Sequence, residues 1–291
     1  MLAMRISGLA LVLYLSLVLN PLAALADDAV SVMSFNIRYG TAKDRKNAWR
    51  KRKELVAETI QNRKPDLLGL QEAIDFQVEF LAEKLPEYTV YAVPRVPGKG
   101  GETCAIFFRT ERFEKSDQGT FWLSKTPDEV GSISWDSSLP RIASWVRLKE
   151  KASGQELLYM NTHFDHQGPT AREKSAKLLR AEIGKLAKGA PAVLTGDFNC
   201  GEGTEPYQNL TAGPQGLRDT YRELNEKHDL PNEITFTGFG LNPGTARIDW
   251  VLCTEEWTIL EAGIDRHRGK KDRHPSDHEP VYAVLEIASG E

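Results

Sequence analysis

From Asp66 to Glu72 the chain reads D-L-L-G-L-Q-E, apolar at almost every position until a polar pair ends the run. A strand with one wet face alternates, so a nearly continuous apolar run is a strand covered on both faces. That requirement calls for a layered fold, with apolar surface packed above and below a sheet.

The rest of the chain supplies the layers. Val30 to Ile37 alternates, is rich in β-formers and ends its strand on Asn36. Further strands are predicted at Tyr88 to Val93, Thr103 to Arg109, Arg112 to Leu123, Arg141 to Lys149, Glu156 to Asn161 and Ala192 to Thr195. Helical spacing of apolar residues predicts helices over Asn47 to Asn62, Asp75 to Leu85 and Ala171 to Leu186, with short helical pieces near Tyr207 and Tyr221. Three last strands are expected around Thr235, from Arg247 to Thr254 and from Pro280 to Ile287. No Pro/Gly/Ser linker divides the chain, and 41% hydrophobic residues are enough for a sizeable core. The expectation is a single α/β domain over residues 27–291, two sheets face to face with helices outside.

The first residues are set apart. Arg5 precedes an uncharged stretch from Ile6 to Ala26, whose apolar heart runs from Leu9 to Leu19 and is closed by Pro21 and Ala24-Leu25-Ala26. A basic start, a short apolar core and small residues at the minus-three and minus-one positions predict a signal peptide over residues 1–26, cut after Ala26. The uninterrupted apolar part is shorter than the ~20 residues a membrane span needs. A secreted or periplasmic mature protein is therefore expected, without stable membrane insertion and without an obligatory protein partner. No cysteine lies near Ala26 to carry a lipid.

Cys104, Cys200 and Cys253 cannot all pair within one chain and lack zinc-site spacing. Buried thiols are expected, with one bridge left open in an oxidising compartment. A net charge of −4 argues against broad electrostatic capture of nucleic acid, and leaves local patches available.

Asn36, Glu72, His163, Asp197 and Asn199 all fall at or just past the C-terminal ends of predicted strands, where α/β scaffolds gather chemistry. Glu72, Asp197 and Asp277 border strands with little other charge around them. Such an oxygen-rich set suits a hard divalent ion such as Mg²⁺ or Mn²⁺, although each acid taken alone is equally a cap or turn residue. His163 follows a strand in N-T-H-F-D-H, and His278 adjoins Asp277 in S-D-H-E-P. An imidazole whose tautomer is fixed by a carboxylate can donate to phosphate oxygens, and Asp249 is the candidate partner of His278. His166, His228, His267 and His274 receive no role.

The chain has no G-x-S-x-G elbow, no Walker loop and no G-x-G-x-x-G after a strand. Pro97 to Gly101 reads as a flexible turn. Arg141, in a loop that also holds Trp135, fits either a phosphate clamp or a surface ion pair. Asp265 to His274 carries five basic residues against two acids, which fits a steering patch for a polyanion or a solvated loop.

Taken together, S-F-N-I-R-Y, L-L-G-L-Q-E, N-T-H-F-D-H, G-D-F-N, R-I-D-W-V-L and S-D-H-E-P resemble, in order, the motifs of the endonuclease/exonuclease/phosphatase superfamily of deoxyribonuclease I-like enzymes. Trp135-Asp136, Leu139-Pro140-Arg141, Asp165-His166 and Arg172 look like a bacterial branch of it without an assigned substrate. The resemblance implies a four-layer α/β/β/α sandwich of two mixed sheets flanked by helices. It also implies roles: Glu72 holding Mg²⁺ with Asn36 and Asp277 at or near it, and Asp197 and Asn199 activating water. His278 with Asp249, and His163, would stabilise charge on phosphorus oxygens. Asp165, Arg141 and Trp135 are candidates for binding substrate.

The function expected on these grounds is an exported, Mg²⁺-dependent (Mn²⁺ as the other candidate) hydrolase of a phosphodiester, a nuclease or phosphodiesterase using in-line attack of an activated water. Its partner is then a phosphate-ester substrate, with nucleic acid or a nucleotide in view. The alternative is a phosphomonoesterase acting on a small sugar- or inositol-type phosphate.

Overall fold

Two pairs of parallel strands organise the molecule, each near the middle of its sheet. In the computed structural model, which describes residues 29–288 apart from residues 99 and 231, β1 (Val30–Asn36) runs parallel to β2 (Leu67–Ala73). Likewise β7 (Glu156–His163) runs parallel to β8 (Ala192–Asp197). Parallel neighbours need a crossover, and α1 (Trp49–Arg63) and α3 (Pro169–Ala187) supply the two. The expected signal peptide, residues 1–26, lies outside the described residues. No helix of the described residues is long and apolar enough to cross a membrane.

Antiparallel strands extend both sheets. Among the described residues the first is six-stranded, with β3 (Tyr88–Tyr91), β4 (Thr103–Arg109), β11 (Trp257–Ile264) and β12 (Val281–Ile287) in the order β11-β12-β1-β2-β4-β3. The second adds β5 (Phe113–Trp122), β6 (Ile142–Glu150), β9 (Arg218–Asp219) and β10 (Asp249–Cys253) in the order β5-β6-β7-β8-β10-β9. Short helices α4 (Glu205–Thr211) and α5 (Thr220–Leu224) lie between β8 and β10 in the chain.

Three apolar layers hold these elements together. Val56 and Ile60 of α1, with Leu81 of α2 (Asp75–Lys84), bury against Met33, Phe35, Leu68 and Leu70. On the far side Leu179 and Ile183 of α3 pack on Leu158, Met160 and Leu194. Between the sheets lie Val32, Leu67, Ile106, Val146, Leu157, Val193 and Val251. Each fully buried aliphatic side chain contributes about 1.5–3 kcal/mol. The expected α/β/β/α sandwich is therefore present, and the Asp66–Glu72 run is indeed a strand covered on both faces.

Period-two alternation has a further result here. On the faces that meet, β1 presents Val32, then Ser34, then Asn36, and β2 presents Leu67, Gly69 and Gln71. Opposite them β7 presents Leu157, Tyr159, Asn161 and His163, and β8 presents Val193, Thr195 and Asp197. The inter-sheet layer thus changes from apolar to polar as the parallel strands run towards their C-terminal ends. Hydrogen bonds cross the gap in the buried polar part: Gln71 Nε2 donates to Asn161 Oδ1 (2.6 Å) and to Ser34 Oγ (3.1 Å), and Thr195 Oγ1 donates to Asn161 Oδ1 (3.1 Å), while Gln71 Oε1 has no partner among the described residues. Asn161 Nδ2 donates to the carbonyls of Leu70 (2.9 Å) and Ala105 (3.0 Å) in the opposite sheet. Gly69 lets the sheets approach this closely, because a Cβ there would stand 2.4 Å from Thr195 Oγ1.

Two strand expectations are corrected. The segment around Thr235 forms no strand, only the isolated bridge of Phe236 with His278. Thr235 instead spends its hydroxyl on the N–H groups of Ile248 and Asp249. Conversely, β11 was not expected: a register shift between Ile259 and Glu261 breaks its alternation, and as an edge strand it buries few side chains. The three cysteines are free and buried.

Candidate active site

The polar end of the inter-sheet layer opens into a cleft of about 430 Å³. Both sheets contribute to it at equivalent positions. Asn36 is the last residue of β1, His163 the last of β7 and Asp197 the last of β8, while Asp249 begins the antiparallel β10. Asp277 and His278 stand just ahead of β12, separated from it by Glu279 and Pro280. Register makes the convergence unavoidable: Asn36 pairs with Gln71, and Asp197 pairs with both His163 and Asp249.

Glu72 reaches the cleft by a backbone irregularity. Its φ of 60° is rare for a residue with a long side chain, and it falls where the β2–β4 register shifts. There Glu72 Oε2 accepts from the Tyr39 N–H (2.7 Å) and Oε1 from Asn36 Nδ2 (3.1 Å). Asn36 Nδ2 also donates to Asp197 Oδ2 (2.9 Å), which links the two sheets through one amide. Asn199 likewise takes a left-handed conformation (φ 50°), tolerated by Asn, and its N–H closes on Asp197 Oδ1 at 3.0 Å.

Electrostatics divides the ionisable groups by role. His278 Nδ1 lies 2.9 Å from Asp249 Oδ2, and its Nε2 lies 3.7 Å from Asp197 Oδ2. Burial works against charge on His278, but Asp249 and then Asp197 outweigh it and hold its pKa well above the usual histidine value. Burial, with Arg141 and Arg95 nearby, does the opposite to His163 and keeps that ring neutral. His163 Nε2 lies 3.0 Å from Asn199 Nδ2 and 3.3 Å from Asp197 Oδ2. Burial and the neighbouring Asp249 push the Asp197 carboxyl up, against His278 and the Asn36 and Asn199 hydrogen bonds. An imidazole whose pKa is raised, one whose pKa is lowered and a carboxyl whose pKa is raised thus share one cleft, an arrangement suited to proton transfer.

Glu72 and Asp277 both line the cleft, and Glu72 adds to the rise that burial imposes on Asp277, against the pull of His278. Two carboxyl groups in one cleft fit a hard divalent cation, and Asn36 stands beside them with Nδ2 on Glu72 Oε1 (3.1 Å) and Oδ1 accepting from the Arg38 N–H (3.0 Å). A second grouping, Asp197, Asp249 and His278, brings its ligand atoms within 4.8 Å of one another. His278 Nδ1 is engaged by Asp249 at 2.9 Å, and the same three side chains offer a second candidate donor set for a cation.

Three further residues brace the cleft. Arg52, 1% exposed, spends its guanidinium on carbonyls: Nη1 on Ile37 (2.6 Å) and Pro275 (3.0 Å), Nη2 on Arg38 (3.0 Å) and Nε on Asn47 (2.9 Å). It clamps the turn after Asn36 to the turn before Asp277. Asp165 lies beneath the wall rather than among the lining residues. Its Oδ2 accepts from Ser138 N (3.1 Å) and Oγ (2.7 Å), and its Oδ1 from Gln167 N (3.0 Å) and Gly168 N (2.8 Å). Arg247, at the start of β10, is tied to Glu202 and Asp219.

Of the residues expected from sequence, Asn36, Glu72, Arg141, His163, Asp197, Asn199, Asp249, Asp277 and His278 are brought together. Trp135 is not: it stands in the β5–β6 loop outside the cleft lining, ahead of Asp136, which caps α3 through Thr170 N and Ala171 N. Arg38, Tyr39, Glu102, Phe236 and His166 also line the cleft and carried no expectation. His166 offered a signal, three residues after His163 in the same turn. The basic run before Asp277 is partly spent internally, since Arg268 Nη1 meets Glu279 Oε2 at 2.8 Å and Arg266 lies 3.5 Å from Glu279.

Known proteins share this fold. A model of the Endonuclease/Exonuclease/phosphatase family matches residues 33–278. An endonuclease/exonuclease/phosphatase from Bacteroides vulgatus is 34% identical, with a TM-score of 0.82 over 89% of this chain and 99% of that one. A mannosyl-6-phosphatase from Bacteroides thetaiotaomicron is 35% identical, with a TM-score of 0.80 over 89% of this chain and 100% of that one. The CCR4-Not complex 3'-5'-exoribonuclease subunit Ccr4 of Emericella nidulans is 26% identical over 280 residues, 72% of this chain and 41% of that protein. The chain spans less than two thirds of the length of such curated relatives.

Proposed function

Because the chain belongs to the endonuclease/exonuclease/phosphatase family, we propose that it is a divalent-metal-dependent phosphomonoesterase of a small phosphorylated sugar. The observation that carries this reading is the cleft itself. At about 430 Å³, with acid–base groups at its floor and Leu139, Phe236 and Ile248 in its walls, it matches a small-molecule site. The 35% identity to a mannosyl-6-phosphatase over most of both chains supports a hexose phosphate. The net charge of −4 favours a small ester over a polyanion. The N-terminal segment ending at Ala26 supports export to the periplasm or medium.

Glu72 and Asp277, with Asn36 beside them, would hold the cation, Mg²⁺ or Mn²⁺. When bound, it neutralises negative charge developing on the phosphoryl oxygens. The remaining work falls to the chain's own residues. Asp197, oriented by the Asn36 and Asn199 hydrogen bonds, accepts a proton from the attacking water. His278, kept protonated by Asp249, donates to a phosphoryl oxygen, and the neutral His163 orients a second. As water attacks, the bond from phosphorus to the sugar oxygen on the opposite side breaks, and that oxygen takes up a proton from solvent as it leaves.

The test is to assay purified protein with Mg²⁺, Mn²⁺ or EDTA against mannose 6-phosphate, other hexose phosphates, inositol phosphates, an aryl monophosphate, a bis-aryl phosphate and RNA. Hexose monoesters are expected to be cleaved with kcat/KM at least ~10-fold above any diester, the scale of one lost charged contact. A preference for the bis-aryl ester or RNA would instead support the second reading, a phosphodiesterase, which the likeness to an exoribonuclease subunit favours. Undiminished turnover in EDTA would remove the metal from the scheme.

A further inference from the structure

Among the described residues that line the cleft, Arg141 has side-chain nitrogens whose hydrogen bonding is left incomplete. It ends the long β5–β6 loop, is 5% exposed and lines the same cleft as His163 and Asn199. Its Nη2 donates to His166 Nδ1 at 3.0 Å, but Nε and Nη1 are buried without a hydrogen-bond acceptor. The nearest carboxylate, Asp165, stands 3.5 Å from Nε, and both its oxygens are already engaged by Ser138, Gln167 and Gly168. The other guanidinium lining the cleft, that of Arg38, is paired with Asp44 at 3.1 Å and lies 3.5 Å from Asp277. A buried cation with one hydrogen bond, to an imidazole nitrogen, and two nitrogens without a hydrogen-bond acceptor is poised for an anion.

We propose that Arg141 reads the second negative charge of a phosphate monoester, making the site selective for a dianionic phosphoryl group over a singly charged diester. The inference rests on the monoesterase reading and assigns its specificity. A monoester presents three terminal oxygens, so two remain to face the acid–base floor while the third meets the Arg141 guanidinium. A diester replaces that third oxygen with an ester oxygen, which carries no charge and brings a substituent into the space beside His166. His166 acts as a positioning residue, because accepting from Nη2 at Nδ1 (3.0 Å) holds the guanidinium at the cleft wall.

The experiment compares an aryl phosphate with its methyl ester, which shares the leaving group, in wild type, Arg141→Met and Arg141→Lys. Arg141→Met is expected to lower kcat/KM for the monoester about 100-fold and for the methyl ester less than about threefold. Competitive inhibition by inorganic phosphate should weaken in parallel with the monoester, and calorimetric binding of phosphate in EDTA should be lost. Arg141→Lys, which keeps charge without the fork, should fall between. Retained methyl-ester turnover shows that the fold survives. If Arg141→Met does not fold, the Lys variant decides by the same ratio. Equal losses for both esters, or unaltered phosphate inhibition, overturn the proposal. If the wild type itself prefers the diester, the monoesterase reading fails, while phosphate inhibition still reports whether Arg141 binds a dianion.

Discussion

Asp197 and Asp249 are register partners across β8 and β10, and His278 spans them, 2.9 Å from Asp249 Oδ2 through Nδ1 and 3.7 Å from Asp197 Oδ2 through Nε2. Two acids side by side in a buried sheet repel each other. A protonated imidazole between them relieves that repulsion and fixes its own tautomer.

Asp249→Asn keeps the shape and removes the charge. The pKa of His278 is raised in the wild type, so its protonated form persists as pH rises. In the variant that pKa falls, and activity is lost at lower pH on the basic side. We expect kcat to drop ~100-fold or more, the scale of an acid–base group, with KM little changed. A pH–rate profile in which the basic limb does not move would refute this role.

Gly69→Ala tests the closeness of the sheets. The added Cβ would stand 2.4 Å from Thr195 Oγ1 and 2.6 Å from Asn161 Oδ1, both part of the inter-sheet hydrogen-bond network. Overpacking of this type costs about 1–3 kcal/mol, so the urea midpoint should fall. An unchanged midpoint means that the sheets move apart freely.

Arg52→Lys leaves an ammonium where a guanidinium served four carbonyls. Burial already pushes the Arg52 pKa down to about 10, so the site tolerates charge poorly. The turns after Asn36 and before Asp277 lose their shared clamp. Mn²⁺ affinity measured by calorimetry should weaken ~10-fold or more, as when groups supporting a metal site are removed. Wild-type affinity in a folded variant would show that the turns hold their own positions.

Asp165→Asn is a pH experiment. Burial opposes charge on Asp165, but hydrogen bonds from Gly168, Ser138 and Gln167 prevail and hold its carboxyl well below the usual range. A depressed folded-state pKa adds stability above the unfolded value near ~3.9, and that stability is lost as pH falls towards the folded value. The variant should therefore be less stable by about 1.5–3 kcal/mol at neutral pH, and the gap should narrow in acid. A pH-independent gap between the two unfolding midpoints would count against charged hydrogen bonding.

Sequence alone determined the layers and which strand ends come together. The double-sided apolar run at Leu67–Leu70 required a covered sheet, and period-two alternation carried Asn36, His163 and Asp197 to strand ends on one face, both consequences of local geometry. Tertiary structure decided what alternation does not encode. Glu72 enters the cleft by a left-handed backbone step where the register shifts. Trp135 stands away while its neighbour Asp136 caps a helix, and Asp165 supports the wall instead of lining it. Asp249 meets His278, 29 residues away in the chain, because β10 lies beside β8. The same distinction holds for Arg141. From its loop it reads equally as a clamp or a surface ion pair, and only packing shows a buried guanidinium with donors unspent, since hydrogen-bond satisfaction depends on which chain segments meet in space.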